Sequence, residues 1–170
     1  MPAGWLSPNL CFGTLDHALC EAFLEQYKIT HVVCVLGELS DHQEVAVQGR
    51  FRGIQYQLWS INYVVAFWKC MFHFASWHHV LEAGGVILLH CKSGKDRSAF
   101  AAYMYLRHQL GYTDDEALKC LSCRVDCRDK PIANIRGNDL IPIYNQFLGS
   151  SSDCRAQADA LLPSWEYRLG

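Results

Sequence analysis

The chain has 170 residues, of which 51% are apolar and 19% carry a charge. This length suits one compact domain, since a domain typically holds about 100–200 residues. The low charged fraction argues against an intrinsically disordered chain. Because the formal net charge is only −2, the sequence predicts no nucleic-acid partner, and an anionic ligand would need a local binding site.

The sequence predicts that the protein is located in the cytoplasm. The first residues contain no basic stretch followed by an apolar run, so the sequence predicts an intracellular protein rather than a secreted one. The longest apolar segment, Tyr63–Leu81, is interrupted by one lysine and three histidines, which predicts no stable membrane insertion. Nine cysteines form an odd set, and this favours free thiols in a reducing compartment over a disulfide framework.

The predicted elements alternate between strands and helices over most of the chain. In chain order they are a strand at Leu10–Phe12, a helix at Leu15–Tyr27, strands at His31–Leu36 and Ile54–Trp59, a helix at Tyr63–Glu82, a strand at Gly85–Leu89, and helices at Arg97–Leu110, Thr113–Cys123 and Asp139–Phe147. This alternation predicts an α/β fold, with a central, mainly parallel sheet flanked by helices.

The predicted domain covers residues 1–150. A cluster of small and polar residues at Gly149–Asp153 resembles a linker, and the sequence has no internal repeat. Residues 151–170 are therefore predicted to form a C-terminal tail or a short helix outside the domain.

Three of the cysteines have a spacing similar to that of zinc ligands. Cys120, Cys123 and Cys127 form C-x-x-C-x-x-x-C, but no fourth ligand lies nearby in the sequence. The set also begins inside a predicted helix, whose start Thr113 and Glu116 mark as a capping box. The sequence therefore favours structural thiols over a zinc site and predicts no metal and no cofactor.

One segment carries the pattern of an anion-binding loop. From Val86 to Ser98 the sequence reads VILLHCKSGKDRS, a buried strand followed by a cysteine, five residues, an arginine and a helix. Five residues can curl into a cradle of inward-pointing backbone N–H groups, and the following helix presents the positive end of its dipole to a bound anion. The segment therefore predicts a phosphate-binding loop.

Cys91 and Arg97 are the reactive and binding groups that this loop would hold. The planar guanidinium of an arginine can bind two phosphate oxygens at once. Backbone N–H groups and a guanidinium also stabilise a thiolate, and such settings lower a cysteine pKa from about 8.5 into the range of about 3.5–7.5. Attack of the Cys91 thiolate on phosphorus is then feasible at neutral pH, with no metal required.

These residues resemble the cysteine-dependent protein tyrosine phosphatase superfamily. The resemblance is carried by His90-Cys-x-x-Gly-x-x-Arg-Ser98 at the end of an apolar strand. The short chain and the segment Leu10–Gly13 are similar to the dual-specificity branch of that superfamily. The resemblance implies the dual-specificity phosphatase fold and a phosphomonoester hydrolase that forms a phosphocysteine intermediate.

The resemblance also implies a role for each residue of the motif. Cys91 is the implied nucleophile, and Arg97 binds the phosphate. Ser98 stabilises the departing thiolate, and His90 orders the loop from behind. The loop residues that are implied to bind the substrate phosphate together with Arg97 are Lys92, Ser93, Gly94, Lys95 and Asp96.

The sequence departs from the family at the general acid. The family places an aspartate upstream of the cysteine, but Val45–Leu81 contains no Asp or Glu, and the corresponding stretch, Leu58–Asn62, reads LWSIN. Asp96 is the leading substitute, because myotubularin-type lipid phosphatases, which the loop resembles, carry an aspartate at this place. The alternative is that Asp96 only accepts hydrogen bonds from the loop and the helix start.

The substrate remains open between two classes. A dual-specificity protein phosphatase, acting on phosphorylated Tyr and Ser/Thr, is the first interpretation. However, Lys92 and Lys95 make the loop similar to those of the tensin-type 3-phosphoinositide phosphatase and of inositol-polyphosphate phosphatases. The alternative substrate is therefore a phosphoinositide or inositol phosphate. A third interpretation is a phosphate-binding adaptor with weak or no turnover, and the sequence does not indicate the oligomeric state.

Overall fold

The computed structural model describes residues 3–35, 54–58, 68–91 and 97–122 of the chain. Within these ranges, the strands are β1 (Gly4–Ser7), β2 (Leu10–Gly13), β3 (His31–Cys34), β4 (Gln55–Leu58) and β5 (Ile87–His90). The helices are α1 (Leu15–Leu19), α2 (Glu21–Gln26), α3 (Trp68–Glu82), α4 (Arg97–His108) and α5 (Asp114–Leu121).

The five described strands form one sheet in the order β1-β2-β5-β3-β4. β1 is antiparallel to β2, and the other three pairings are parallel. The predicted α/β class with a mainly parallel sheet is confirmed. β5 lies at the centre of the sheet, and all four of its residues are buried, which explains the continuous apolar run in its sequence.

Helices cover both faces of the sheet, as alternation along the strands requires. Ile87 and Leu89 of β5 belong to a core cluster that contains residues of α3, α4 and α5. Leu88, the residue between them, belongs to a second cluster with Ala18 of α1 and Leu24 of α2. Successive side chains of β5 are therefore directed to opposite faces of the sheet, each covered by its own layer of helices.

The predicted helix over Leu15–Tyr27 is two helices in the structure. Cys20 interrupts it in an extended conformation, with φ −88° and ψ 104°, and serves as both the C-cap of α1 and the N-cap of α2. The apolar spacing did not reveal the break because both short helices pack their apolar side chains into the same core cluster.

The sequence prediction also missed β1. This edge strand pairs with β2 through a turn at residues 8–9, and Gly4 lies opposite Phe12. Its burial changes from buried at Gly4 to exposed at Ser7 without alternating. A half-exposed edge strand of four residues that is held by backbone hydrogen bonds leaves little periodicity to detect.

The predicted capping box at the start of α5 is confirmed. The Thr113 Oγ1 accepts a hydrogen bond from the Glu116 N–H at 3.2 Å, and a Glu116 carboxylate oxygen accepts one from the Thr113 N–H at 3.2 Å. α4 and α5 each end two residues before their predicted ends. In the ranges that the structure describes, no helix is long and apolar enough to span a membrane.

Several predictions lie outside the described residues. They are the helix at Asp139–Phe147, the first residues of the helix predicted from Tyr63, the linker at Gly149–Asp153 and the tail at 151–170. The predicted division of the chain at residue 150 therefore stays a prediction.

Candidate active site

The candidate site lies where three neighbouring parallel strands end. Gly13 is the last residue of β2, Cys34 of β3 and His90 of β5, and both Gly13 and Cys34 are paired in register with His90. Cys91 follows β5 directly, and Arg97 is the first residue of α4. Ligands of open α/β sheets bind at the carboxyl ends of the strands, so the fold puts the predicted nucleophile at the edge where a ligand is expected.

The Cys91 thiol is buried and contacts a hydroxyl. Only 2% of Cys91 is exposed, and its Sγ lies 3.2 Å from the Oγ of Ser98. The hydroxyl of Ser98 also donates to the carbonyl of Gly13 at 3.4 Å, and the backbone N–H of Cys91 donates to the same carbonyl at 3.4 Å. Thus the Gly13 carbonyl links Cys91 to the first turn of α4.

The hydroxyl of Ser98 can serve both protonation states of Cys91. A hydroxyl has one hydrogen to donate and can also accept. While Ser98 donates to Gly13, it can accept the S–H of a neutral Cys91. When Cys91 is a thiolate, the same hydroxyl can turn and donate to sulfur, and hydrogen bonds to an ionised acceptor are the stronger kind. The arrangement is therefore suited to a cysteine that alternates between thiolate and covalent adduct.

His90 lies beneath the nucleophile on the α1 and α2 side of the sheet. Its side chain is fully buried. The Nδ1 atom is 3.2 Å from the carbonyl oxygen of Cys91, and the Nε2 atom is 3.1 Å from the Sγ of Cys34. Cys34 is far from His90 in sequence and lies beside it because the strand order makes β3 a neighbour of β5.

Gly13 approaches a side chain so closely that no other residue fits without a shift. A Cβ atom at Gly13 would lie 2.6 Å from the Nδ1 of His17. The His17 ring is held in place by Thr14, whose backbone N–H donates to the same Nδ1 at 3.0 Å. The Thr14 hydroxyl in turn accepts from the His17 N–H at 3.2 Å. The carbonyl that Cys91 and Ser98 share thus belongs to a residue whose place requires a glycine. A glycine directly after the predicted strand was the only sequence signal for it.

The five residues between Cys91 and Arg97 lie outside the described residues. Lys92, Ser93, Gly94, Lys95 and Asp96 therefore keep their sequence-based assignments as predictions. For Arg97, the structure places the backbone at the first position of α4, and the side chain is half-buried.

A second polar cluster ties β4 to α3. The Oε1 of Gln57 accepts hydrogen bonds from the His73 Nδ1 at 2.9 Å and from the Trp77 Nε1 at 3.1 Å. Burial lowers the pKa of His73 from 6.5 to about 4, so this ring is neutral at neutral pH. This cluster anchors the strand that leads into the stretch where the family's acid would lie.

No group of three potential metal ligands occurs within the parts of the chain that the structure describes. Cys120, the first cysteine of the zinc-like spacing, is a half-buried free thiol. Cys123 and Cys127 lie outside the described residues, so the preference for structural thiols over zinc stays a prediction.

No protein-family model matches the chain, and no curated protein matches its sequence. Solved structures do match. Human DUSP28 aligns with a TM-score of 0.67 at 20% identity, over 88% of this chain and 96% of its own. A mouse putative dual specificity phosphatase complexed with zinc tungstate aligns with a TM-score of 0.65 at 22% identity, over 95% and 92%.

A third matching structure is PTPMT1 in complex with PI(5)P. It aligns with a TM-score of 0.55 at 12% identity, over 82% of this chain and 97% of its own. These matches confirm, at the level of the fold, the resemblance that the motif around Cys91 and Arg97 carries.

Proposed function

We propose that this chain, whose fold is that of the dual-specificity phosphatases, is a phosphomonoester hydrolase that acts through a phosphocysteine intermediate on Cys91. The observation that carries the proposal is the Cys91 thiol at the end of a central buried strand, 3.2 Å from the Ser98 hydroxyl. Arg97 at the start of the next helix supplies a cation with two parallel N–H donors for a phosphate.

The proposed reaction consists of two displacements. First, the Cys91 thiolate attacks phosphorus, so that a P–S bond forms while the P–O bond to the leaving group breaks. A water molecule then attacks the phosphocysteine, the P–S bond breaks, and inorganic phosphate leaves. The thiolate is both the nucleophile of the first step and the leaving group of the second. A hydrogen bond from Ser98 to sulfur stabilises it in both roles.

We assign the proton for the leaving oxygen to Asp96. Residues 45–81 contain no carboxylate, and an alcohol leaving group needs a proton that Ser60 or Asn62 would not supply at neutral pH. Asp96 is adjacent to Arg97 in sequence and would face the negative charge of a bound phosphate, which favours the protonated carboxyl. In the second step, the Asp96 carboxylate would take a proton from the attacking water.

The proposed substrate is a phosphorylated protein, with hydrolysis of both phosphotyrosine and phosphoserine or phosphothreonine. The likeness to DUSP28 in fold and length supports this choice. A phosphoinositide or inositol phosphate is the second candidate, because Lys92 and Lys95 would add positive charge to the loop, and because PTPMT1, solved with PI(5)P, shares the fold. A phosphate-binding adaptor with weak turnover is the third, favoured by the absence of an upstream acid.

The proposed location is the cytoplasm. Cys20 and Cys120 are free thiols, and free thiols are the rule in reducing compartments. An oxidising compartment would be a poor environment for a nucleophilic cysteine.

A parallel release assay tests the proposal. Phosphate release is measured from a phosphotyrosyl peptide, a phosphothreonyl peptide and phosphoinositides in vesicles, for the wild type, for Cys91→Ser and for Cys20→Ser, which replaces an exposed cysteine. We expect turnover by the wild type and by Cys20→Ser, and none by Cys91→Ser. Turnover that survives in Cys91→Ser would refute the mechanism.

The same assay separates the three candidate functions. Release from both peptides supports a dual-specificity protein phosphatase, and release from the vesicles alone supports the second candidate. If no substrate is turned over but tungstate still binds, with binding lost in Arg97→Ala, the adaptor is the correct interpretation. Tungstate is a suitable probe because it is a tetrahedral oxyanion like phosphate.

A further inference from the structure

The side chain of His90 forms hydrogen-bonding contacts with both of its ring nitrogens. Nδ1 is 3.2 Å from the carbonyl oxygen of Cys91, and Nε2 is 3.1 Å from the Sγ of Cys34. All three residues are buried, with 2% or less of each exposed. The residue that follows β3 also holds the backbone of His90, because the N–H of Val35 donates to the His90 carbonyl at 2.7 Å.

The two contacts together determine the tautomer of the ring. A carbonyl oxygen can only accept, so the Nδ1 that faces Cys91 must carry a hydrogen. In a neutral imidazole the other nitrogen is then an acceptor. Nε2 therefore faces Cys34 with a lone pair, and the Cys34 thiol must be the donor.

We propose that Cys34 is a positioning residue: its S–H donates to His90 Nε2, stabilises the Nδ1–H tautomer that the Cys91 carbonyl requires, and so holds that carbonyl. This role rests on the proposed function only in its consequence for catalysis. We call these three hydrogen-bonded groups the relay: the Cys34 thiol, the His90 imidazole and the Cys91 carbonyl. The relay connects β3 to the peptide bond that follows Cys91.

The relay constrains the backbone of the nucleophile from one side, and Gly13 constrains it from the other. The N–H of Cys91 donates to the Gly13 carbonyl, and the carbonyl of Cys91 accepts from His90. Because the peptide bond is planar, a fixed carbonyl also fixes the plane of the peptide with which the anion-binding segment begins. If the tautomer were reversed, a ring lone pair would face the carbonyl oxygen and the Cys91 carbonyl would lose its donor.

A purely structural role for Cys34 makes a different prediction. Cys34 lies in the same core cluster as Val32 and Leu88, where a valine would also fill the space. A valine has no hydrogen to donate, whereas a serine has one. Thus Cys34→Val keeps the packing and removes the donor, and Cys34→Ser keeps the donor.

The matched control is Cys11, another fully buried cysteine in the same cluster. Its thiol donates to the carbonyl of Ile87 at 3.7 Å and has no contact with His90 among the hydrogen bonds described above. The variant Cys11→Val therefore removes a buried thiol from the same layer of the core without removing the proposed donor.

Nitrogen NMR of ¹⁵N-histidine-labelled protein reads the tautomer directly, with the His90 signals identified by their loss in His90→Gln. We expect a protonated Nδ1 and an unprotonated Nε2 in the wild type, in Cys34→Ser and in Cys11→Val. In Cys34→Val the Cys91 carbonyl still requires the Nδ1–H form, and we expect the signal of the unprotonated Nε2 to shift because this atom has lost its hydrogen-bond donor. A wild-type ring in the Nε2–H form, a charged wild-type ring, or an Nε2 signal that does not change in Cys34→Val would each overturn the proposal.

Kinetics test the catalytic consequence. We expect Cys34→Val to lower kcat/KM by about tenfold, the usual scale for one lost hydrogen bond, with Cys34→Ser within about threefold of the wild type. Equal losses in Cys34→Val and Cys11→Val would overturn the positioning role. If Cys34→Val fails to fold, the wild-type tautomer and the activity of Cys34→Ser decide the matter.

The two proposals fail separately. If the wild type hydrolyses no phosphoester, the proposed function falls, and the NMR result still decides whether Cys34 fixes His90. If the tautomer is wrong while turnover is normal, only the role of Cys34 falls.

Discussion

The Sγ of Cys91 and the Oγ of Ser98 lie 3.2 Å apart, although the two residues are seven positions apart along the chain. One follows the central strand and the other belongs to the first turn of α4. The two residues also donate hydrogen bonds to the same carbonyl, that of Gly13. Cys91 donates through its backbone N–H and Ser98 through its hydroxyl. The end of β2, the end of β5 and the first turn of α4 therefore meet around Cys91 and Ser98.

Removing the Ser98 hydroxyl is expected to slow the second chemical step more than the first. In Ser98→Ala the departing thiolate loses a hydrogen bond, so we expect kcat to fall by about 10–100-fold and phosphocysteine to accumulate. Rapid-quench kinetics and mass spectrometry of the trapped adduct measure both effects. Ser122→Ala, which removes a hydroxyl from the end of α5, is the control. Equal loss of both steps in Ser98→Ala would contradict the assigned role.

Replacing Gly13 is expected to lower the free energy of unfolding because of a single contact, the one with His17. The new Cβ of Gly13→Ala would lie 2.6 Å from the His17 ring, so one of the two must move, at about 1–3 kcal/mol of unfolding free energy. Urea denaturation of Gly13→Ala, His17→Ala and the double variant measures the coupling. We expect the double variant to be more stable than the sum of the single losses predicts. Strict additivity would show that the contact is not the source of the cost.

The acid role of Asp96 predicts a dependence on the leaving group. An aryl phosphate with an acidic leaving group needs little protonation, whereas an alkyl phosphate needs a full proton. We therefore expect Asp96→Asn to lower kcat/KM by about 10²-fold for the alkyl ester and far less for the aryl ester. Asp115→Asn, at the exposed start of α5, serves as the reference. Equal losses on both esters, or an unchanged pH profile, would remove Asp96 from this role.

His73 makes stability depend on pH. Its pKa is lowered by burial from 6.5 to about 4, so between these values the unfolded chain binds a proton that the folded chain does not. The contribution of the neutral His73 ring to the free energy of unfolding is complete above pH 6.5 and is lost as the pH falls to about 4. Its size is about 2–3 kcal/mol. Urea denaturation across this window measures the loss.

The variant His73→Gln isolates this contribution, because an amide N–H can still donate to Gln57 but does not titrate. We expect a shallower fall in stability for His73→Gln than for the wild type. Part of the fall will remain, since burial also lowers the pKa of His31 to about 4. A wild-type curve that is flat between pH 6.5 and 4 would contradict the assignment.

The sequence predicted the elements of the fold that are buried on both faces. β3 and β5 are apolar runs bounded by turn residues, and their identity follows from composition alone. The break at Cys20 and the edge strand β1 were missed, because neither changes the local apolar spacing. Their causes are the packing of two short helices on one core cluster and the backbone pairing with β2.

The residues of the candidate site also fall into two groups: those that the sequence revealed and those that it did not. His90, Cys91, Arg97 and Ser98 lie close together in sequence, so a motif reveals them. Their supporting residues lie far away in sequence: 56 positions separate Cys34 from His90, and 85 separate Gly13 from Ser98. These contacts exist because β5 inserts between β2 and β3, and strand order is a global property that local patterns do not encode.

The position of β5 between two parallel neighbours ties the reactive sulfur to the most protected part of the domain. Backbone amides of such a strand exchange with solvent only when the sheet itself opens. Partial melting of the short N-terminal helices would leave the nucleophile in place. Thermal inactivation is therefore expected to coincide with the cooperative unfolding transition rather than to precede it.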